Sequence, residues 1–141
     1  TWTGGREKAP AAVCRKIAEA VISGNHHLDI WGDGEQTRSF MYIDDCVKGS
    51  QMILGSDHVE PINLGSAELV TINQLYSIVE EIAGIKCNRS YQLDAPQGVR
   101  GRNSDNTEIQ RVFGWEPSIS LQDGMAKTYA WVFDQVKRAH G

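Results

Sequence analysis

Arg38 is the side chain best placed to do chemistry, because the run WGDGEQTRSFMYIDD from Trp31 to Asp45 holds it between a glycine turn and a helix start. Gly32, Asp33 and Gly34 make a tight turn, after which Arg38, Phe40 and Tyr42 alternate with Ser39, Met41 and Ile43 as on a strand over 38–43. Asp44 and Asp45 stand where a helix N-cap belongs, ahead of the apolar Val47, Met52 and Ile53. A guanidinium carried on rigid backbone can grip two phosphate oxygens at once. It can equally pair with Asp44 or Glu35, and the segment alone leaves both readings open. His26 and His27 are adjacent in a polar connection with no third ligand at sensible spacing, so a solvated role is expected for them and no metal site.

The elements that must position these residues are legible from their periodicity. Pro10 suits the first turn of a helix running to about Ile22, with Val13, Ile17 and Val21 on its buried stripe. Leu28 to Trp31 reads as a short strand, and a helix is expected over about 45–54. Ile62 to Leu64 reads as a buried strand ending at Gly65. Thr71 caps a helix whose apolar positions are Ile72, Leu75, Ile78, Val79 and Ile82, and Gly84 stops it. Asn88 to Leu93 alternates as a strand, and 94–105 is a loop rich in Gly and Arg. A short helix begins at Asn106 or Thr107 and ends at Phe113, a turn covers Trp115 to Pro117, and a last helix spans about 121–138. In that helix Met125, Tyr129, Val132, Phe133 and Val136 face inward. Mixed strands and helices without regular βαβ repetition indicate a small α/β domain of mixed α+β type, single over 1–141.

At 141 residues and 40% hydrophobic content the chain can bury one core and not two. A net charge of −4 argues against a nucleic-acid-binding module. The cations are unevenly spread, however: Arg6, Lys8, Arg15, Lys16, Arg38, Arg100 and Arg102 lie in or beside glycine turns and helix starts, while acidic residues dominate from Asp57 to Glu81. A local basic pocket in an acidic chain fits a small anionic ligand. Cys14, Cys46 and Cys87 are odd in number and lack metal-type spacing, so they read as buried thiols of a reducing compartment. No apolar run approaches the roughly 20 residues needed to span a bilayer and no signal-peptide pattern opens the chain, so no membrane partner is expected and a cytoplasmic location is.

A complete catalytic kit is absent from this stretch of sequence. Gly32-Asp33-Gly34 leads into a strand rather than a helix, so the dinucleotide fingerprint is not met. No tyrosine is followed four residues later by lysine: Tyr42, Tyr76, Tyr91 and Tyr129 lead to Cys46, Glu80, Ala95 and Phe133.

Taken in order and with their separations, GREKAPAA, WGDGEQTRSF, INLGS and GVRGRNSDN resemble the GDP-mannose 3,5-epimerases, a group within the extended short-chain dehydrogenase/reductase family. The glycine turn with Gln36 and Arg38 is shared more widely among nucleotide-sugar epimerases and dehydratases, whereas GREKAPAA and GVRGRNSDN are specific to the 3,5-epimerases. The resemblance runs from Gly4 to the last helix and covers only the C-terminal, substrate-binding part of those enzymes. Their nucleotide-binding Rossmann half, with its glycine fingerprint, Tyr-x-x-x-Lys pair and cysteine acid/base, has no counterpart here. The resemblance therefore implies a piece of a longer enzyme that takes NAD at a site outside this chain, with no cofactor for this chain alone and no activity by itself.

It further implies a reaction on GDP-mannose: oxidation at C4 acidifies the hydrogens at C3 and C5, each centre is inverted by deprotonation and reprotonation, and the hydride returns. Lys8 takes the place of the family's acid/base lysine. By the same resemblance Glu7 and Ala9 flank the substrate and Lys16 faces it from the first helix. Gln36, Thr37 and Arg38 bind the nucleotide diphosphate, and Arg102 meets the pyrophosphate, with an Arg102–Asp105 ion pair as the alternative; Arg100 is read as an ordinary loop charge. The connection from Lys16 to Trp31 is a few residues longer than the family pattern, through Gly24 to His27. The resemblance also places the helix beginning near Asp45 against the nucleotide-binding half, so Val47, Met52 or Ile53 should lose cover in this chain and drive self-association. The competing readings are another nucleotide-sugar 4-epimerase or dehydratase, against which GREKAPAA speaks, and a non-catalytic binding module.

Overall fold

The computed structural model describes residues 1–95 and 99–141, so 96–98, inside the loop expected over 94–105, lie outside the described residues. Helix α1 (Ala9–Ser23) starts where Pro10 predisposes it to, with Lys8 as its N-cap residue in extended conformation, and ends at Gly24 in the left-handed region. Its buried side is Val13, Cys14, Ile17, Ala18 and Ala20, while Val21 is only partly covered. Strand β1 (His27–Trp31) alternates as exposed, buried, exposed, with Leu28 and Ile30 inward. It pairs in parallel with β4 (Asn88–Gln92), Leu28 opposite Arg89 and Trp31 opposite Gln92.

The second sheet is built around the glycine turn. Strand β2 (Thr37–Ser39) lies between β3 (Leu69–Thr71), antiparallel to it, and β5 (Gly101–Arg102), parallel to it. The strand expected over 38–43 is thus shorter, because Phe40 to Tyr42 leave the ladder and Tyr42 serves as N-cap residue of helix α2 (Ile43–Leu54). Asp44 and Asp45 are accordingly not caps but first-turn residues. Asp45 is buried at 5% exposure, and its Oδ2 accepts the backbone N–H groups of Ser118 and Ile119, each at 2.8 Å, so it anchors the chain that leads into the last helix. Residues 62–64 form no strand; they pack irregularly under α2, where Leu64 lies so close to Gly49 that a Cβ there would stand 2.5 Å from its Cδ1.

Helix α3 (Ile72–Ala83) carries the expected cap as a full capping box: Thr71 Oγ1 accepts the Gln74 N–H at 3.0 Å and Gln74 Oε1 accepts the Thr71 N–H at 2.8 Å. Helix α4 (Thr107–Phe113) stops at Gly114, residues 115–120 continue without a turn, and α5 (Leu121–His140) closes the chain. Helices α1, α3 and α5 pack on one another, and Ile17, Leu75, Val79, Val132 and Val136 are each at most 1% exposed in the core between them and β1. Burying such a side chain contributes about 1.5–3 kcal/mol each, so this core fixes the frame from which both sheets project. Cys14 and Cys87 are buried free thiols and Cys46 is partly covered. Among the described residues no helix is long and apolar enough to cross a membrane.

Candidate functional site

The expected residues fall into two groups. The first surrounds a cavity of about 700 Å³ between the segment ahead of α1, the outward side of α1 and the exposed face of β1, lined by Glu7, Ala9, Lys16, Arg15, Asp29 and Trp31 among others. Lys8 sits between two of these lining residues, its side chain exposed and its carbonyl accepting the Ala12 N–H at 3.0 Å. Glu7 is held inward by Arg15, whose Nη2 donates to Oε1 at 2.8 Å. Its own backbone N–H and the Arg15 guanidinium hold the Glu7 carboxyl below the usual glutamate range. Lys16 lines the cavity, but its Nζ donates to the Asp29 carbonyl at 2.7 Å, which ties α1 to the edge of β1. Burial, with Arg15 next to it, lowers the Lys16 pKa.

The second group is the β3–β2–β5 sheet. Arg38 of β2 stands in register with Arg102 of β5, and Thr37 with Gly101. In-register residues of neighbouring parallel strands project from the same face with backbones about 4.8 Å apart, so two guanidinium-bearing side chains share one side of this sheet. Gly101 is required there, since a Cβ would lie 2.7 Å from Thr37 Oγ1. Arg38 Nη1 donates to the Thr37 carbonyl at 2.6 Å. Arg102 is exposed and lines a smaller cavity of about 220 Å³ with Ser39, Asn63 and Ser104. Among the described residues no hydrogen bond or ion pair is seen at its guanidinium. The alternative pairing with Asp105 is not formed, because Asp105 Oδ1 is taken by the N–H and hydroxyl of Thr107 at 3.0 and 2.7 Å.

Gln36 lies just ahead of β2. It is 8% exposed, its Nε2 reaches the Trp31 carbonyl at 3.5 Å, and its buried Oε1 has no partner among the described residues. The turn ahead of it is braced from α3: Asn73 donates to the Asp33 carbonyl at 3.2 Å and to Glu35, and Tyr91 donates to Asn73 Oδ1 at 2.9 Å. Arg100 pairs with Asp33 at 3.2 Å on the surface. Sequence reasoning missed Asp29 and Trp31 as cavity residues and named Arg15 only among the clustered cations. Only Arg15 carried a signal, its spacing of four from Glu19, with which it pairs at 3.0 Å. The missed strand β5 is two residues long and has no alternation to betray it.

Arg38 and Arg102 in register on β2 and β5 thus give one face of this sheet two cationic side chains. The comparisons define the class further. A family model described as GDP-mannose 4,6 dehydratase matches residues 3–128. GDP-mannose 3,5-epimerase 1 of Oryza sativa subsp. japonica is 44% identical over 138 residues, covering 98% of this chain and 35% of that protein. GDP-L-fucose synthase 1 of Arabidopsis thaliana is 30% identical, over 89% of this chain and 39% of its own length. Among solved structures, UDP-glucose 4-epimerase of Thermotoga maritima with UDP-glucose superposes with a TM-score of 0.83 at 26% identity, over 94% of this chain and 41% of that one. UDP-glucuronic acid 4-epimerase from Bacillus cereus with UDP-glucuronic acid and NAD does so with a TM-score of 0.77 at 29% identity, over 94% and 43%. The chain belongs to the GDP-mannose 4,6-dehydratase family of extended short-chain dehydrogenases/reductases, and its fold is that of their C-terminal part. It spans about a third of the length of the curated relatives it matches.

Proposed function

We propose that residues 1–141 form one substrate-binding domain of an NAD-dependent nucleotide-sugar epimerase that inverts GDP-mannose at C3 and C5. The observation that carries the reading is the Arg38–Arg102 register, two cationic side chains on one face of a sheet, which suits a diphosphate bridging them. The 44% identity to GDP-mannose 3,5-epimerases supports GDP-mannose over other nucleotide sugars.

NAD does not fit the residues present. The glycine turn joins two strands, and its Gly34 is closed off by the Asn73 amide, into which a Cβ would run. Redox chemistry at C4 therefore belongs to residues outside this chain. What this chain supplies is binding and one proton-transfer group. Thr37, Arg38 and Arg102 hold the diphosphate, Glu7, Ala9 and Lys16 border the sugar and nucleoside, and Lys8, exposed between Glu7 and Ala9, moves a proton at C3 or C5. The domain works in a reducing, cytoplasmic setting, consistent with its free cysteines.

The test is incubation of the full-length protein with GDP-mannose in D2O. Deuterium at C3 and C5 is the expected result, and the 141-residue chain alone should incorporate none. Incorporation by the chain alone, or none by the full-length protein, contradicts the reading.

A further inference from the structure

Glu7 is covered to a degree unusual for a loop glutamate, with 5% side-chain exposure, and only half of its carboxylate is satisfied. Oε1 accepts Arg15 Nη2, whereas Oε2 is buried without a hydrogen-bond partner among the described residues. Arg15 is itself fixed from the helix side: its Nη1 lies 3.0 Å from both oxygens of Glu19, one turn along α1, while its Nε is buried and unpartnered. Buried polar atoms left unpaired are costly, and in a cavity wall a ligand can satisfy them. The turn just before Glu7 lends little support, since Gly4 and Gly5 have φ of 95° and 77° and no atom within 4 Å of where a Cβ would be. The side-chain tether of the segment 5–8 to α1 is the Glu7–Arg15 contact, beside the backbone bond from Ala12 N–H to the Lys8 carbonyl.

We infer that Arg15 is a positioning residue, acting through Glu7: it holds the Glu7–Lys8–Ala9 elbow against α1 so that Glu7 Oε2 meets a sugar hydroxyl and Lys8 is presented at a fixed place. The inference rests on the epimerase reading above. Arg15 shared between two carboxylates leaves a net negative charge on the trio, which keeps Glu7 an acceptor. The lowered Glu7 pKa agrees with this.

The experiment uses the full-length protein with Arg15→Met, Arg15→Lys, Glu7→Gln and the double variant Glu7→Gln/Arg15→Met. Arg15→Met should lower kcat for deuterium incorporation about tenfold or more while the Kd for GDP, which lacks the sugar, stays within about twofold. Arg15→Lys should recover part of the rate, because one ammonium cannot bridge both carboxylates. The double variant should be no slower than the slower single one, as befits a residue acting through another. Limited trypsin cleavage after Arg6 and Lys8, read by mass spectrometry, should accelerate in Arg15→Met with cleavage after Lys86 unchanged. An unaltered kcat in Arg15→Met, or losses that add in the double variant, overturns the inference. A wild-type protein that incorporates no deuterium defeats the epimerase reading instead; unaccelerated cleavage after Arg6 and Lys8 then defeats the tether by itself.

Discussion

Around the α1 cavity, the charged groups are partnered from within: Arg15 lies between Glu7 and Glu19, and Lys16 is bound to the Asp29 carbonyl. On the β2–β5 row Arg38 and Arg102 stand in register, and Asp105, the carboxylate nearest Arg102 in sequence, is spent on Thr107. The same residue types thus do different work. In the cavity they fix geometry before any ligand arrives, which is what proton transfer needs. On the sheet, under the proposed reading, two arginines in register grip the diphosphate, which is what affinity needs. A third charged cluster marks the structural extreme: Glu80, 1% exposed, is paired with Arg89 and Lys86, each at 2.9 Å.

The sharpest way to break this division is at Lys8. In the full-length protein Lys8→Met should slow deuterium incorporation by about 100- to 10,000-fold, the range of a general acid/base group, with GDP-mannose affinity nearly unchanged by calorimetry. Near-normal incorporation would return Lys8 to the status of an exposed surface lysine.

Glu80→Gln should do the reverse, lowering Tm by several degrees at neutral pH while leaving GDP binding intact. Burial raises the Glu80 pKa, but hydrogen bonds from Arg89 and Lys86 outweigh it and the net shift is downward. With the folded pKa below the unfolded one, the stability due to this carboxylate is present above the ordinary glutamate range and lost as pH falls through the depressed value. Thermal melts of the two proteins should therefore converge as the pH is taken well below 4, the approximate unfolded glutamate value. A gap that stays constant down to that pH would remove Glu80 from the account.

Gly34→Ala should cost about 1–2 kcal/mol from its φ of 74° together with the collision at Asn73, and should weaken GDP binding because the turn sets Gln36 to Arg38. Urea melts and calorimetry read the two effects separately, and normal stability with normal binding would show that the brace is dispensable.

The smallest effect concerns α2. Ile43 is 59%, Val47 48% and Leu54 85% exposed, whereas Met52 and Ile53, expected to be uncovered, are partly buried. The 141-residue chain should bind a hydrophobic dye and self-associate, and Ile43→Lys/Leu54→Glu should diminish both. A chain that is monomeric in light scattering at high concentration, with no dye binding, contradicts this.

Helix positions were legible because each carried two agreeing signals, as in α3, where the Thr71 and Gln74 box, the apolar stripe and the left-handed Gly84 coincide. Asp45 was misread because an acidic residue before an apolar stripe satisfies the capping rule, and nothing local reveals that its partners are Ser118 and Ile119, more than 70 residues away. Residues 62–64 failed for the opposite reason, since a three-residue apolar run has no periodicity to separate a strand from irregular packing under Gly49. Within the site, the residue types were readable from motifs, but the register that puts Arg102 beside Arg38 depends on segments that join through Thr37 and Arg100, 63 residues apart. The Glu7–Arg15 contact likewise joins a loop to the second turn of a helix, a separation no helical repeat encodes.

The most direct test is calorimetric titration of GDP and of guanosine into the full-length protein, its Arg102→Ala variant and its Arg102→Lys variant. A charge-assisted bond to phosphate is worth about 1.5–3 kcal/mol, so Arg102→Ala should raise the GDP Kd by about tenfold or more, with guanosine affinity and Tm unchanged. Arg102→Lys should recover part of the loss. Equal losses for GDP and guanosine, or unchanged GDP affinity with a Tm lowered by several degrees, would contradict the assignment of the β2–β5 row as the diphosphate grip.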